Sequence, residues 1–396
     1  MSAIDDAVPG ALCAPTPTRL PWLGLLALAC GAFITVLTEC IVAGLLPAMS
    51  RDLGISEALV GQLTTIYAVG SMLTAIPVVK LTSHLPRRPL LLAALIGFAL
   101  VNSAMAWSQS YALMMVTRFL AGVAAGLLWA LLAGYASRMV EPHQQGRAIA
   151  VAMLGTPLAM TIGIPLGTWL SQLIGWRWVF GLMSLLSLVL VAWARGTLPP
   201  VPGLPPQTHG RLRDVIALPG LLPVYLVMLL AVLAHNVLYT YIAPFSALSG
   251  VQASLDRLLL AFGVASVLSI VVTGALIDRW MRPLMALGSG LFLFAALAMA
   301  LWPNSSAVLV GAVLAGGLGF GGAATLIQTA VARRAGEQQD LGQSLVVVGW
   351  NLAIAGGGLL GGVLLKTTGV AMLPWSLVVV LVATVAVVVP GKRAWA

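Results

Sequence analysis

Two charged residues lie within otherwise apolar stretches of the sequence. Glu39 lies well inside 21–48, and Arg118 lies deep inside 111–138. Apolar surroundings favour the neutral form of a carboxyl group, so Glu39 is able to bind and release a proton there. A buried guanidinium must be paired or hydrogen-bonded. We interpret Glu39 and Arg118 as a proton-exchanging pair; the alternatives are a structural carboxylate and a helix-packing anchor bonded to backbone carbonyls.

A second polar group lies in the apolar stretch 221–249. His235 and Tyr239 are four residues apart, so they share one face of a helix, whereas Tyr241 points elsewhere. Hydroxyl and amide groups such as that of Asn236 suit a sugar or polyol, and aromatic faces suit an amphipathic drug. Hydrogen bonding between helices, without a ligand, is the alternative. Further candidate ligand-contacting residues with the same two interpretations are Thr38, Tyr67, Trp129, Gln328 and Asn351.

Catalytic and metal-binding patterns are missing from the sequence. The four histidines are scattered, the three cysteines form no CxxC pair, and neither HExxH nor GxSxG occurs. The run Gly317–Gly322 matches a dinucleotide pattern only literally, because it lies in an apolar stretch that follows no strand. The sequence therefore predicts no enzyme, no metal site and no cofactor. ATP is excluded as the energy source because no GxxxxGK[ST] loop exists.

The elements that must position these residues are membrane helices. Of the 396 residues, 60% are apolar and only 8% are charged, whereas a soluble domain carries about 25% charged residues. An apolar stretch of about 20 residues is enough to cross a bilayer. Twelve such stretches predict an all-α membrane protein, and they run approximately over 21–48, 58–80, 89–107, 111–138, 148–174, 179–194, 221–249, 255–280, 283–302, 307–332, 342–366 and 370–389.

A proline-rich stretch at 196–219 divides the chain into two halves of six helices. We expect a polar N-tail at 1–20, an N-terminal half at 21–195, a C-terminal half at 220–390 and a C-tail at 391–396. The tails and the linker are expected in the cytoplasm.

The basic residues test this layout. If both termini are cytoplasmic, 15 basic residues fall on the inner side and 4 on the outer side, as the positive-inside rule requires. The net charge of +9 then records topology and needs no nucleic acid as a partner. The inner residues are Arg19, Lys80, Arg87, Arg88, Arg138, Arg147, Arg195, Arg211, Arg213, Arg279, Arg282, Arg333, Arg334, Lys392 and Arg393, and the outer ones are Arg51, Arg177, Arg257 and Lys366.

An internal repeat lies after the second stretch of each half. The run Gly274–Arg282 reads Gly-x-x-x-Asp-Arg-x-x-Arg and resembles the loop signature of the major facilitator superfamily. The first copy, at 79–88, has Ser83 where the signature has aspartate and Pro86 where it has glycine. The aspartate-centred contact of the first half is therefore in question.

Further motifs are similar to those of the drug/proton antiporter branch of this superfamily. Arg118–Gly122 resembles its basic motif, and Gly155–Gly167 resembles its antiporter motif, whose prolines and glycines predict a bent, closely packed helix. Thr38–Pro47 and Ala234–Phe245 resemble segments of bacterial sugar-efflux and arabinose-efflux permeases.

The resemblance implies a twelve-helix fold in two halves that rock about a central site, with protons exchanged for an exported small molecule. Sugar or polyol export is expected first; a multidrug or chloramphenicol-type pump and a uniporter or importer are the alternatives. A monomer in the bacterial inner membrane, within the lipid bilayer, is expected. The residues implied in gating or in motifs are Arg87, Arg88, Gly155, Pro157, Gly163, Pro165, Gly167, Gly274, Asp278 and Arg279.

Overall fold

The computed structural model describes residues 20–55, 57–203, 212–251, 255–391 and 394–395. These residues form helices and connecting turns, with no strand among them. Most of the predicted N-tail lies outside the described residues, as do part of the linker and the pair Lys392–Arg393.

The first half of the chain is built from eight helical pieces. Their order follows the apolar stretches, but α1 and α8 extend beyond the predicted limits, and α8 runs on to Thr197 in the predicted linker. Their bounds are α1 Trp22–Leu53, α2 Glu57–Thr82, α3 Arg87–Trp107, α4 Tyr111–Arg138, α5 Gln145–Met153, α6 Gly155–Leu158, α7 Ile164–Ile174 and α8 Trp176–Thr197.

The second half begins with a short helix inside the predicted linker, α9. The remaining pieces follow the apolar stretches, and two of the stretches are each divided into two helices. The bounds are α9 Leu212–Ile216, α10 Leu221–Thr240, α11 Ile242–Leu248, α12 Leu255–Leu301, α13 Ser306–Gly321, α14 Ala323–Ala335, α15 Gln339–Thr367 and α16 Leu373–Val388.

Ten segments of the described chain are long and apolar enough to cross a membrane. Two of them, Arg257–Leu301 with 45 residues and Ser306–Thr367 with 62, are each more than twice the length that one crossing needs. In the first, Trp280 leaves helical geometry, with φ −126° and ψ 28°, three residues before Pro283. The all-α membrane architecture is thus present, and the number twelve stays a prediction.

The helix of the antiporter-like motif is interrupted rather than smooth. Between α6 and α7, residues Ala159–Gly163 form one turn of π-helix. Pro157 and Pro165 flank this turn, and each lacks the backbone N–H that a regular helix needs. We attribute the interruption of the regular helix to these missing hydrogen bonds.

The two halves of the chain have separate apolar cores. Helices α1–α8 share one large apolar core around buried residues such as Leu28, Phe98 and Phe180. Helices α9–α16 share two smaller cores, one around Met228 and Ile327 and the other around residues such as Phe292. Charged side chains join the two sets at one end, where the connections α2–α3, α4–α5 and α14–α15 meet the kink of α12; we call it the basic end.

Candidate functional site

The basic end holds an ion cluster that joins the two halves of the chain. Arg87, at the start of α3, places Nε 2.6 Å from Oδ2 of Asp340 in the first turn of α15, and both side chains are 1% exposed. Arg138, at the end of α4, lies 3.2 Å from the other oxygen of Asp340. The negative carboxylate is also favoured at the N-terminus of a helix. Asp340 therefore holds two arginines of the first half.

This cluster shows which carboxylate takes the place of the aspartate that Ser83 replaces in the loop signature. The first copy of the loop signature lacks its aspartate, and Asp340, from the other half, supplies a carboxylate to the same loop. Arg87 also donates to the carbonyl oxygens of Thr82 (3.1 Å) and Leu85 (3.4 Å), which ties the guanidinium to the loop. Arg88, the neighbouring motif residue, is half-buried.

Asp278, in the second copy, forms the matching contact. Its Oδ1 accepts from the backbone N–H of Gly146 (2.8 Å), and its Oδ2 accepts from that of Arg147 (3.2 Å). Arg333 pairs with the same carboxylate at 2.7 Å. Gly274, one turn earlier, faces α5 so closely that a Cβ there would lie 2.6 Å from that of Ala150. Arg279 instead is exposed and lies over the ring of Trp280.

Arg118 joins three helices through backbone carbonyls. Its Nε donates to Leu63 O on α2 (3.1 Å), and its two terminal nitrogens donate to Thr38 O (2.5 Å) and Glu39 O (3.0 Å) on α1. The guanidinium carbon lies 4.7 Å from the ring centre of Tyr67, and Arg118 is 1% exposed. These contacts use the hydrogen-bond donors of the guanidinium. They match the interpretation of Arg118 as an anchor that packs helices together through backbone carbonyls.

Glu39 lies beside this anchor on α1. Its residue is half-buried, as is Cys40, although α1 is among the most buried segments.

His235 is the centre of an aromatic cluster in the second half of the chain. Its ring stacks on Phe320 with centroids 4.0 Å apart and planes 8° apart. The rings of Tyr239 and Phe262 each lie 5.4 Å from it, and Trp350 lies 6.2 Å from Phe320. We call these five residues the aromatic cluster. It combines flat apolar faces with one exposed phenol, a surface suited to a planar ring.

Other candidate residues of the second half bond within the protein. Asn236 and Asn351 each donate Nδ2 to a carbonyl of their own helix, and both are half-buried. Tyr241 lies at the break between α10 and α11, and its hydroxyl donates to Gly358 O on α15 (2.8 Å). Gln328 is buried, and its backbone oxygen accepts from Gln343.

Candidates of the first half are mostly buried in its core. Thr38 is fully buried and accepts a hydrogen bond from Asn102 on α3 (3.3 Å). Tyr67 is 1% exposed, and its hydroxyl donates to Thr35 O (3.3 Å). Trp129 is half-buried against the same core. The structure thus brings Thr38 and Tyr67 to Arg118.

The antiporter-like motif packs on α1. A Cβ at Gly155 would clash with the backbone of Ala29 and Phe33, and one at Gly163 would lie 2.9 Å from the ring of Phe33. Gly167 faces Ile41 in the same way, at 2.6 Å. Pro157 is buried, and Pro165 is exposed at the start of α7. The helix of the motif can therefore approach α1 this closely only because these three positions are glycine.

Several residues of these sites carry no sequence signal of their own. Asp340, Arg138 and Arg333 lie at helix ends, where charged residues are common, and only the packing of the halves brings them together. Phe262 and Phe320 belong to apolar stretches and are indistinguishable there from lipid-facing aromatics. Within the described ranges, no group of three or more His, Cys, Asp or Glu is placed to hold a metal ion.

Comparison with known families identifies the fold. The family model of the Major Facilitator Superfamily matches residues 28–256 and 224–393. Among solved structures, a proton:xylose symporter of that superfamily, XylE, superposes with a TM-score of 0.77 at 13% identity, covering 93% of this chain and 94% of that one. The human organic anion transporter MFSD10 superposes with a TM-score of 0.74 at 16% identity, covering 93% and 98%.

Curated relatives are more similar in sequence. A chloramphenicol efflux pump of Mycobacterium tuberculosis is 32% identical over 374 residues, which is 90% of each chain. The purine ribonucleoside efflux pump NepI of Escherichia coli K12 is 26% identical over 354 residues, 89% of each chain. Both relatives are named as efflux pumps, and these names together with the family match point to a transporter.

Proposed function

This chain belongs to the major facilitator superfamily, as an efflux-type membrane transporter, and on that premise we propose that it exports a small molecule in exchange for protons. The halves would rock about a central site, as in other transporters built from repeats. The bacterial relatives support the inner membrane as its location, with both termini in the cytoplasm. A monomer is the simplest form of this proposal.

One observation carries the proton step. Glu39 is half-buried on α1 and its backbone is held by Arg118, and this position supports it as the acid that exchanges the proton. Arg118 satisfies its own charge on carbonyl oxygens, so the Glu39 carboxyl group is left to exchange a proton with the interior. Protonation and substrate binding would then compete across the same space.

The aromatic cluster indicates the substrate class. The stack of His235 on Phe320, with Tyr239 exposed beside it, suits a flat ring that carries polar groups. This class is the drug-type alternative, and the names of the two relatives support it, since chloramphenicol and purine ribonucleosides both carry such a ring. A sugar or polyol is the second candidate, favoured by the half-buried amides of Asn236 and Asn351.

The test is transport by the purified chain in proteoliposomes with an imposed pH gradient, acid inside. Labelled chloramphenicol, a labelled purine ribonucleoside and labelled arabinose serve as probes. We expect gradient-driven uptake of a ring-bearing probe. Uptake of arabinose alone would favour the second candidate, and pH-independent flux of all probes would reverse the antiport proposal in favour of a uniporter.

Glu39→Gln separates the proton step from binding. Glutamine is permanently neutral, so uptake should fall to the level seen without a gradient, while counterflow of labelled against unlabelled probe persists. Glu337→Gln, an exposed acid of the basic end, is the matched control and should behave as wild type. Full gradient-driven uptake by the Glu39→Gln variant would refute the role of Glu39.

A further inference from the structure

The basic end contains a cavity that is separate from the proposed transport site. It has a volume of about 370 Å³ and lies between the start of α5 and the kink of α12. The first half contributes His143, Gln144 and Arg147, and the second contributes the stretch 275–280, which includes Arg279 and Trp280. One cavity therefore has walls from both halves.

The cavity carries an excess of positive charge. Arg147 and Arg279 are both exposed, and each has only a weak partner: Arg147 reaches Ala275 O at 3.4 Å, and Arg279 lies over the Trp280 ring at 5.8 Å. The carboxylate that lines the cavity, that of Asp278, is already engaged, because it accepts from two backbone N–H groups and pairs with Arg333. A bound anion would supply the strong hydrogen-bond acceptor and the negative charge that Arg147 and Arg279 lack.

An apolar surface leads from this cavity along α12. Leu268, Val272, Leu276 and Trp280 are spaced four residues apart, and all are exposed. The same helix turns Asp278 toward α5 and Ser269 toward α13, so the four residues face away from both neighbours. In a membrane span, an exposed apolar face of this kind lies against lipid. Tryptophan at the end of the face is typical of the membrane–water interface.

We propose that this cavity binds the headgroup of an anionic phospholipid, with its phosphate between Arg147 and Arg279 and an acyl chain along Leu268, Val272 and Leu276. A free phosphate would satisfy the arginines but would leave the apolar face unused, so the lipid is the favoured occupant. Basic pockets between helices at the cytoplasmic surface bind such headgroups in other membrane proteins. Because the two arginines belong to different halves, the bound lipid would hold the basic end closed.

The binding test uses the full chain, delipidated in detergent and mixed with equimolar phosphatidylglycerol and phosphatidylcholine, with the first bound lipid identified by native mass spectrometry. Wild type should select phosphatidylglycerol. Each arginine contributes about fivefold to affinity for an anionic surface, so Arg147→Gln with Arg279→Gln should lower the phosphatidylglycerol affinity by about thirtyfold. The Arg147→Lys and Arg279→Lys pair keeps both charges and should retain most of the binding.

The matched control removes two exposed basic residues of the same end outside the cavity, Lys80→Gln with Arg195→Gln. Equal losses in both double variants would reduce the effect to surface charge and overturn the proposal. Equal binding of the two lipids by wild type would do the same. Inorganic phosphate or glycerol 3-phosphate that displaces the lipid at equal concentration would assign the cavity to a free anion instead.

The closing effect has a separate readout. Spin labels at Leu85→Cys and Glu337→Cys report the separation of the halves at the basic end, in nanodiscs of phosphatidylcholine with or without phosphatidylglycerol. The anionic lipid should increase the short-distance population several-fold in wild type and not in the Arg147→Gln/Arg279→Gln variant. An unchanged distribution in wild type would refute the bridging role. These readouts need no transport substrate, so they stand or fall independently of the proposed function.

Discussion

Arg87 of α3 and Asp340 of α15 form an ion pair, 2.6 Å between Nε and Oδ2, that is almost completely buried at the basic end. The two residues lie in different halves of the chain, and Arg138 binds the same carboxylate. Removing one partner of a buried pair leaves an uncompensated charge, which is strongly unfavourable. We therefore expect the contact between the two halves at the basic end to depend on Asp340.

We expect Asp340→Asn to shift the chain toward conformations in which the basic end is open, because Arg87 and Arg138 would then face each other without a counter-ion. Spin labels at positions 85 and 337 should show the long-distance population rising several-fold. Asp52→Asn is the control, since Asp52 pairs with Arg177 within the first half at the opposite end. A distance distribution that responds equally to both substitutions would contradict a specific role for Asp340.

Arg118→Lys should lower the free energy of unfolding by at least about 1.5 kcal/mol, the value of one hydrogen bond to a charged group. Lysine is a point charge, and it cannot donate to carbonyls on α1 and α2 in the planar arrangement of the guanidinium. Titration with SDS, followed by tryptophan fluorescence, measures the loss. Arg177→Lys, at a partly exposed ion pair, should cost no more than about 1 kcal/mol. Equal stability of wild type and Arg118→Lys would show that the planar arrangement is not needed.

Gly155→Ala should destabilise the chain by about 1–3 kcal/mol, the usual cost of overpacking. The new Cβ would meet the backbone of α1 at Ala29 and Phe33, and backbone atoms cannot rotate away as a side-chain end does. Gly311→Ala, in α13, is the control because no atom lies near its Cβ position. Alanine there should be neutral or stabilising by about 0.5–1 kcal/mol, since glycine weakens a helix. The same SDS titration compares the two variants.

Two neighbouring tyrosines should separate substrate contact from structure. Tyr239→Ala removes an exposed ring of the aromatic cluster, and KM for labelled chloramphenicol should rise about fivefold, because an aromatic pair contributes about 1 kcal/mol. Tyr241→Phe loses the hydrogen bond to Gly358 O, so the free energy of unfolding should fall by about 1 kcal/mol with KM unchanged. A raised KM for Tyr241→Phe together with an unchanged KM for Tyr239→Ala would indicate that Tyr241, and not Tyr239, contacts the substrate.

The sequence alone determined the class of protein. Long apolar stretches with few charges leave no soluble alternative, because a helix in lipid must satisfy its own backbone and cover it with apolar side chains. For the same reason Glu39 and Arg118 could be recognised as exceptions. The loop and span motifs predicted the superfamily, which the family comparison confirmed. The irregular helix of the antiporter-like motif could also be predicted from the sequence, because Pro157 and Pro165 lack the hydrogen-bond donors that a straight helix requires.

Only the tertiary structure decided which residues meet across the halves. Asp340 is more than 200 positions from Arg138, and nothing in either local pattern indicates the other. The same holds for His235 of α10 and Phe320 of α13, whose rings stack although they are 85 positions apart in the sequence. Burial also divided the candidates, placing Thr38 against Asn102 and leaving Tyr239 exposed. Apolar periodicity specifies which face of a helix is buried, but in a membrane nearly every face is apolar, so the partner of each face is set by packing alone.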